Sequence, residues 1–267
     1  MVSGMIAQLD SSVVANAGVA SQSGGNPASI QPDATSARAL RSLTLPGPVG
    51  RLEALLNEGA PDAPFAALVC HPHPAGGGTM HNKVVYHAMK VMNGEAWGFR
   101  WPTLRFNFRG TGLSQGTHDG NAESDDVEAA LAWLHSEFQR PIVLAGFSFG
   151  AFMALKACCS RRPAADVRAL ALLGLPTRIA NRIPVHEIPY PFLSDCTLPK
   201  LFLSGDNDQF APAADLAQVA ESALEPKRLA LIHGADHFFT GHIEPMQQAL
   251  WRWLRGHFPI QPSEQLQ

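Results

Sequence analysis

The chain has 267 residues, 46% of them apolar, enough for one large α/β domain or two small ones around a sizeable core. Its 20 basic and 23 acidic residues are well mixed and leave a formal net charge of −3, without the basic footprint of a nucleic-acid or polybasic membrane binder. No stretch approaches the roughly 20 apolar residues that a membrane-spanning helix needs. The four cysteines, Cys70, Cys158, Cys159 and Cys196, form no C-x-x-C pair, so neither a disulfide framework nor a zinc knuckle is expected.

Residues 1–37 are rich in Ser, Ala, Gly, Asn and Gln and almost uncharged, which reads as a disordered or loosely attached tail. Met1 to Thr35 contain no Lys or Arg and only broken apolar runs, unlike a secretory signal. With no signal and no disulfides expected, the reading is a cytoplasmic protein. The domain itself is expected over residues 38–260, with a second short tail at 261–267.

Ser42–Leu45 and Arg51–Leu56 flank Gly47-Pro48-Val49-Gly50, giving two strands around a turn. Phe65–Cys70 is a continuous apolar run, as expected of a buried strand. It enters a loop, His71-Pro72-His73-Pro74-Ala75-Gly76-Gly77-Gly78, stiffened by prolines and then freed by glycines. Asn82 to Met92 has helical spacing, Thr103–Phe108 reads as a strand, and Arg109-Gly110-Thr111-Gly112 as a Gly-rich turn. Glu123–Phe138 is an amphipathic helix whose Ser124 and acidic residues suit its positive end.

Ile142–Ala145 is another buried strand, and it ends in Gly146-Phe147-Ser148-Phe149-Gly150, a match to G-x-S-x-G followed by a helix to about Cys159. Such a turn lifts its serine hydroxyl above the sheet, and its glycines sit where a side chain would clash between strand and helix. Strands follow at Val167–Leu173, Lys200–Ser204 and Arg228–Ile232, with helices at Pro212–Ala223 and 244–256. Five prolines between 175 and 199 break any regular helix there, and a short irregular cap is expected. Strands alternating with helices imply a mostly parallel central sheet with helices on both faces.

Serine needs a base to take its proton and an acid to orient that base. Ser148, Asp206 or Asp208, and His237 occur in that order, each in a loop after a strand, and such loops share one rim of the sheet. Asp206 directly follows Gly205 and suits a turn, whereas Asp208 is better placed to reach across. An oxyanion formed at Ser148 needs two N–H donors. One is expected at Phe149. The other falls among His73, Ala75 and Gly76, since Pro72 and Pro74 have no N–H. His71-x-His73 lacks the further ligands of a metal site, and no metal or other cofactor is expected.

The set His71-Pro72-His73-Pro74 followed by glycines, Arg105-Phe106-Asn107-Phe108-Arg109-Gly110, and Gly146-Phe147-Ser148-Phe149-Gly150 resembles the bacterial branch of predicted α/β-hydrolases and is similar to the dienelactone-hydrolase-like group. The resemblance covers about residues 40–258. It implies the α/β-hydrolase fold, an oxyanion donor at His73, the acid at Asp208 and the base at His237 in Asp236-His237. Dienelactone hydrolases carry cysteine where this chain has Ser148, which speaks against that specific activity. The expected function is cleavage of a small carboxylic ester or thioester through an acyl-enzyme. The alternative is a non-catalytic binding or scaffold protein on the same fold. Substrate and oligomeric state are not legible.

Overall fold

The computed structural model describes residues 39–160, 165–178, 190–258 and 260. The two expected tails and the centre of the expected cap, residues 179–189, lie outside the described residues. One eight-stranded sheet forms the centre: β1 (Leu40–Gly47), β2 (Gly50–Asn57), β3 (Ala66–Cys70), β4 (Thr103–Phe106), β5 (Ile142–Phe147), β6 (Val167–Leu173), β7 (Lys200–Gly205) and β8 (Lys227–Ile232). Their order across the sheet is β1-β2-β4-β3-β5-β6-β7-β8. The β1–β2 hairpin pairs antiparallel, and β2 pairs antiparallel with β4. All other neighbours are parallel.

The central strands read as unbroken apolar runs because both faces of the sheet are covered. Successive side chains still go to opposite sides. Leu68, Leu144, Leu170, Leu172 and Phe202 join one core with α2 (Glu123–Phe138), α3 (Phe149–Cys159) and Leu216 of α4 (Ala213–Ser222). Val69, Val143, Ala145, Leu173 and Leu203 join the other with α1 (Lys83–Asn93) and α5 (Ile243–His257). No helix among the described residues is long and apolar enough to cross a membrane.

Register brings the strand ends level. Cys70 lies opposite Gly146, Phe147 opposite Leu173, and Leu173 opposite Leu203. The loops after β3, β5, β6 and β7 therefore leave from one rim, with β5 at the middle.

Three details differ from the sequence reading. β4 stops at Phe106, two residues early; Asn107 N–H still donates to Glu53 O of β2 at 2.8 Å, while its side chain accepts from Met80 N–H at 2.8 Å and donates to Glu53 Oε2 at 2.7 Å. Ser124 does not cap α2. The cap position is Ala122, which offers no side-chain bond, and Asp119 instead accepts from Asn121 and Ala122 N–H at 2.7 and 2.8 Å.

The third difference is a disulfide between Cys159, at the end of α3, and Cys196. The two cysteines are 37 residues apart in sequence, so no local spacing announces the pair. The described stretch just before β7, Pro191 to Cys196, lies against the end of α3 and brings them together. The expectation of no disulfide is corrected by this pair, and it no longer supports the cytoplasmic reading.

The described flanks of the cap segment are tied to the body: Thr177 N–H donates to Phe210 O at 2.9 Å, Tyr190 Oη–H to Pro176 O, and Leu224 N–H to Leu193 O at 2.9 Å.

Candidate functional site

Ser148 stands between β5 and α3 with φ 55° and ψ −119°. A non-glycine residue rarely occupies that region, and holding it there requires the surroundings to fix the turn. Its own N–H donates to Leu173 O at 2.8 Å. The flanking glycines let the backbones close. A Cβ on Gly146 would lie 2.3 Å from Gly150 O, and one on Gly150 would lie 2.5 Å from both Cys70 O and His71 O. The second contact presses the start of α3 against the loop after β3.

Ser148 Oγ is 2.9 Å from His237 Nε2, and His237 Nδ1 is 2.8 Å from Asp208 Oδ2. Asp208 is buried and also accepts from Ser204 Oγ–H at 2.8 Å and from the N–H groups of Phe210 and Ala211 at 2.8 and 3.0 Å. Burial pushes this carboxyl up, but His237, Ser204 and Phe210 together hold it below the usual carboxylate range. An ionised Asp208 requires the His237 proton on Nδ1, which leaves Nε2 to accept from the Ser148 hydroxyl. Aromatic rings fix the imidazole on its faces and edges, with Phe210 at 4.6 Å and Phe147 and Phe238 at 5.1 Å between ring centres.

Asp206 is elsewhere. It accepts from Gly234 N–H at 2.7 Å and pairs with His233 Nδ1 at 2.8 Å, which makes it a clasp between the loops after β7 and β8. Asp236 closes the turn around His237 by accepting from Phe238 and Thr240 N–H at 3.1 and 2.8 Å.

The loop after β3 is equally specified. Ala75 N–H donates to His73 Nδ1 at 3.2 Å and Gly76 N–H to His73 O at 3.0 Å. Among the described residues, the N–H groups of His73 and Phe149 have no acceptor. His71 is fully buried. Its Nε2 accepts from Phe108 N–H at 3.0 Å, and its Nδ1–H donates to Pro72 O at 2.6 Å. That carbonyl belongs to the same planar peptide as the His73 N–H, so the His71 ring fixes the direction of the N–H. Sequence reading weighed His71 only in a His-x-His pair that lacks further metal ligands, and missed Ser204 altogether. A serine at the end of an apolar strand, directly before Gly205-Asp206, was the available signal for Ser204.

Burial drives the His71 imidazole down to about 4, against the opposing pull of Pro72 O. Its folded pKa lies below its unfolded one, so the contribution to stability is complete above the model-peptide pKa near 6.5 and is lost as pH falls through about 4. The expected loss across that window is about 3 kcal/mol. Urea unfolding at pH 7 and pH 4 measures it, and His71→Gln should flatten the dependence. An equal pH slope in that variant would contradict the assignment.

Arg109, at the start of the loop after β4, pairs with the fully buried Asp126 of α2 through its guanidinium at 2.7 Å and its backbone N–H at 2.9 Å. Among the described residues no group of three or more His, Cys, Asp or Glu side chains is placed to hold a metal ion.

The sheet order and a serine on the strained turn after its central strand define the class of α/β serine hydrolases. The chain belongs to the alpha/beta hydrolase domain family, which matches residues 66–248. It is 37% identical over 220 residues to an uncharacterized protein of Rickettsia prowazekii, covering 78% of this chain and 86% of that one. Among solved structures it is similar to an α/β serine hydrolase without lid from Xanthomonas campestris, with TM-score 0.70 and 31% identity over 84% of this chain and 97% of that one. An α/β serine hydrolase homologue from Coxiella burnetii gives TM-score 0.68 and 31% identity over 79% of this chain and 96% of that one.

Proposed function

We propose that the protein is a serine hydrolase that cleaves small carboxylic esters or thioesters. The observation that carries this reading is the unbroken hydrogen-bond chain from Ser148 Oγ through His237 to Asp208, at 2.9 and 2.8 Å. In this reading His237 Nε2 takes the Ser148 proton while Oγ attacks the substrate carbonyl. The oxyanion is held by the Phe149 and His73 N–H groups, which have no acceptor to give up among the described residues. The intermediate collapses, the C–O or C–S bond breaks, and His237 returns its proton to the departing alcohol or thiol. A water then gives a proton to His237 as it attacks the acyl-enzyme, and the second collapse frees the acid and restores Ser148. Asp208 keeps the imidazole in the required tautomer throughout. No cofactor enters any step.

The reading is tested by incubating the purified protein with a fluorophosphonate and with p-nitrophenyl butyrate. Expected are one adduct per chain, mapped to Ser148, and ester turnover abolished by the adduct. An unlabelled Ser148 together with no turnover would favour a binding or scaffold protein on the same fold.

A further inference from the structure

A second histidine–carboxylate pair lies against the residues that carry the two free N–H groups. His118, on the loop between β4 and α2, places Nδ1 2.6 Å from Glu123 Oε1. That oxygen also accepts from Asp119 and Gly120 N–H at 2.8 and 3.3 Å. With three groups converging on one acceptor, Nδ1 carries a proton toward Glu123, and in the neutral imidazole the lone pair is then on Nε2. Glu123 is fully buried, and its Oε2 has no partner among the described residues.

The His118 ring stands edge-on to His73, 4.7 Å between centres, and to Phe149, at 5.4 Å. Its side chain keeps 18% of its surface exposed, and Nε2 has no partner among the described residues. A partly exposed imidazole, oriented by a buried carboxylate, therefore lies one ring away from Phe149, the neighbour of Ser148. His237 reaches Ser148 from the β8 side of the rim, whereas His118 comes from the β4 side. The carboxylates on this loop and the first turn of α2 (Asp119, Glu123 and Asp126) outnumber the two cations beside them, Arg109 and Lys156, whose ammonium donates to Asn121 O at 2.7 Å. That balance opposes an anionic group and suits a hydrogen-bond donor.

We infer that His118 and Glu123 form a subsite in which Nε2 accepts a hydrogen bond from a hydroxyl on the substrate's acyl chain, a few bonds from the scissile carbonyl. The protein then prefers short hydroxyacyl esters to their unsubstituted counterparts. This inference rests on the reading of Ser148 as the nucleophile. His118 does not take part in the bond changes; it selects what is presented to Ser148.

The test compares p-nitrophenyl butyrate, p-nitrophenyl 3-hydroxybutyrate and p-nitrophenyl hemisuccinate on wild type, His118→Phe and His118→Gln. Wild type should favour the hydroxylated ester in kcat/KM by about tenfold, the scale of one net hydrogen bond. His118→Phe, which keeps an aromatic ring on His73 and Phe149, should erase that preference through KM and leave butyrate within about twofold. His118→Gln, which restores an acceptor, should recover part of it. A wild type that turns over butyrate without preferring the hydroxylated ester overturns the subsite alone. Equal losses on all esters in His118→Phe would make the pair a mere clamp on the loop. A loss confined to the hemisuccinate would make it an anion site. No turnover of any ester by wild type would overturn the nucleophile reading and this inference with it.

Discussion

Ser148→Ala is expected to lower kcat for p-nitrophenyl butyrate by about 10⁴- to 10⁶-fold with little change in KM, and His237→Ala to do nearly the same. The two groups act as one unit: without the base at 2.9 Å the hydroxyl keeps its proton, and without the hydroxyl the base has nothing to activate. The double variant should therefore be no slower than either single one. Asp208→Asn should cost about 10⁴-fold. An amide there can still accept from the Phe210 and Ala211 N–H groups, so the loop holds, but it no longer demands the proton on Nδ1. Asp206→Asn should stay within about threefold, since Asp206 clasps two loops at the surface and touches neither Ser148 nor His237. Steady-state kinetics on the four single variants and the double one, each checked for native circular dichroism, decides the matter. A larger loss in Asp206→Asn than in Asp208→Asn would reassign the acid.

The contrast between Asp206 and Asp208 shows how far sequence reaches. Element positions were legible because apolar runs such as Ile142–Ala145 and helical spacing such as Val127, Ala130, Leu131 and Leu134 follow from local chemistry. The sheet order was not, because β4 inserts between β2 and β3 and no residue pattern states which strands are neighbours. The placement of Ser148, Asp208 and His237 in loops after β5, β7 and β8 was legible, since parallel strands send such loops to one rim. The choice between the two aspartates rested on reach, and only the hydrogen bonds separate a clasp from a partner of His237.

Residues that act through others stayed hidden. His71 bridges the ends of β3 and β4, and Ser204 supports Asp208 from inside its own strand. Both roles require knowing which backbone groups lie opposite a side chain. The Cys159–Cys196 pair was missed for the same reason, since it depends on where the β6–β7 connection lands.

His73→Pro is expected to lower kcat by about 10²- to 10³-fold, whereas His73→Ala should cost far less. Sequence left three candidates for the second donor. The Ala75 and Gly76 N–H groups both bond back to His73, which leaves its N–H as the one without an acceptor. A backbone donor cannot usually be removed by substitution, but this position allows it. His73 has φ −54° and ψ 122°, close to what a proline ring imposes and what the following Pro74 demands of the residue before it. Proline there removes the N–H and the ring while leaving the backbone path intact. Alanine removes the ring, with its contacts to His118 and Phe149 and the bond from Ala75, but keeps the N–H. The difference between the two variants therefore isolates the donor, and it should appear in kcat rather than KM because the oxyanion exists only in the transition state and the intermediates flanking it. A tetrahedral mimic such as a boronic acid should lose affinity for His73→Pro in step with kcat. Equal rates in the two variants would move the second donor away from His73.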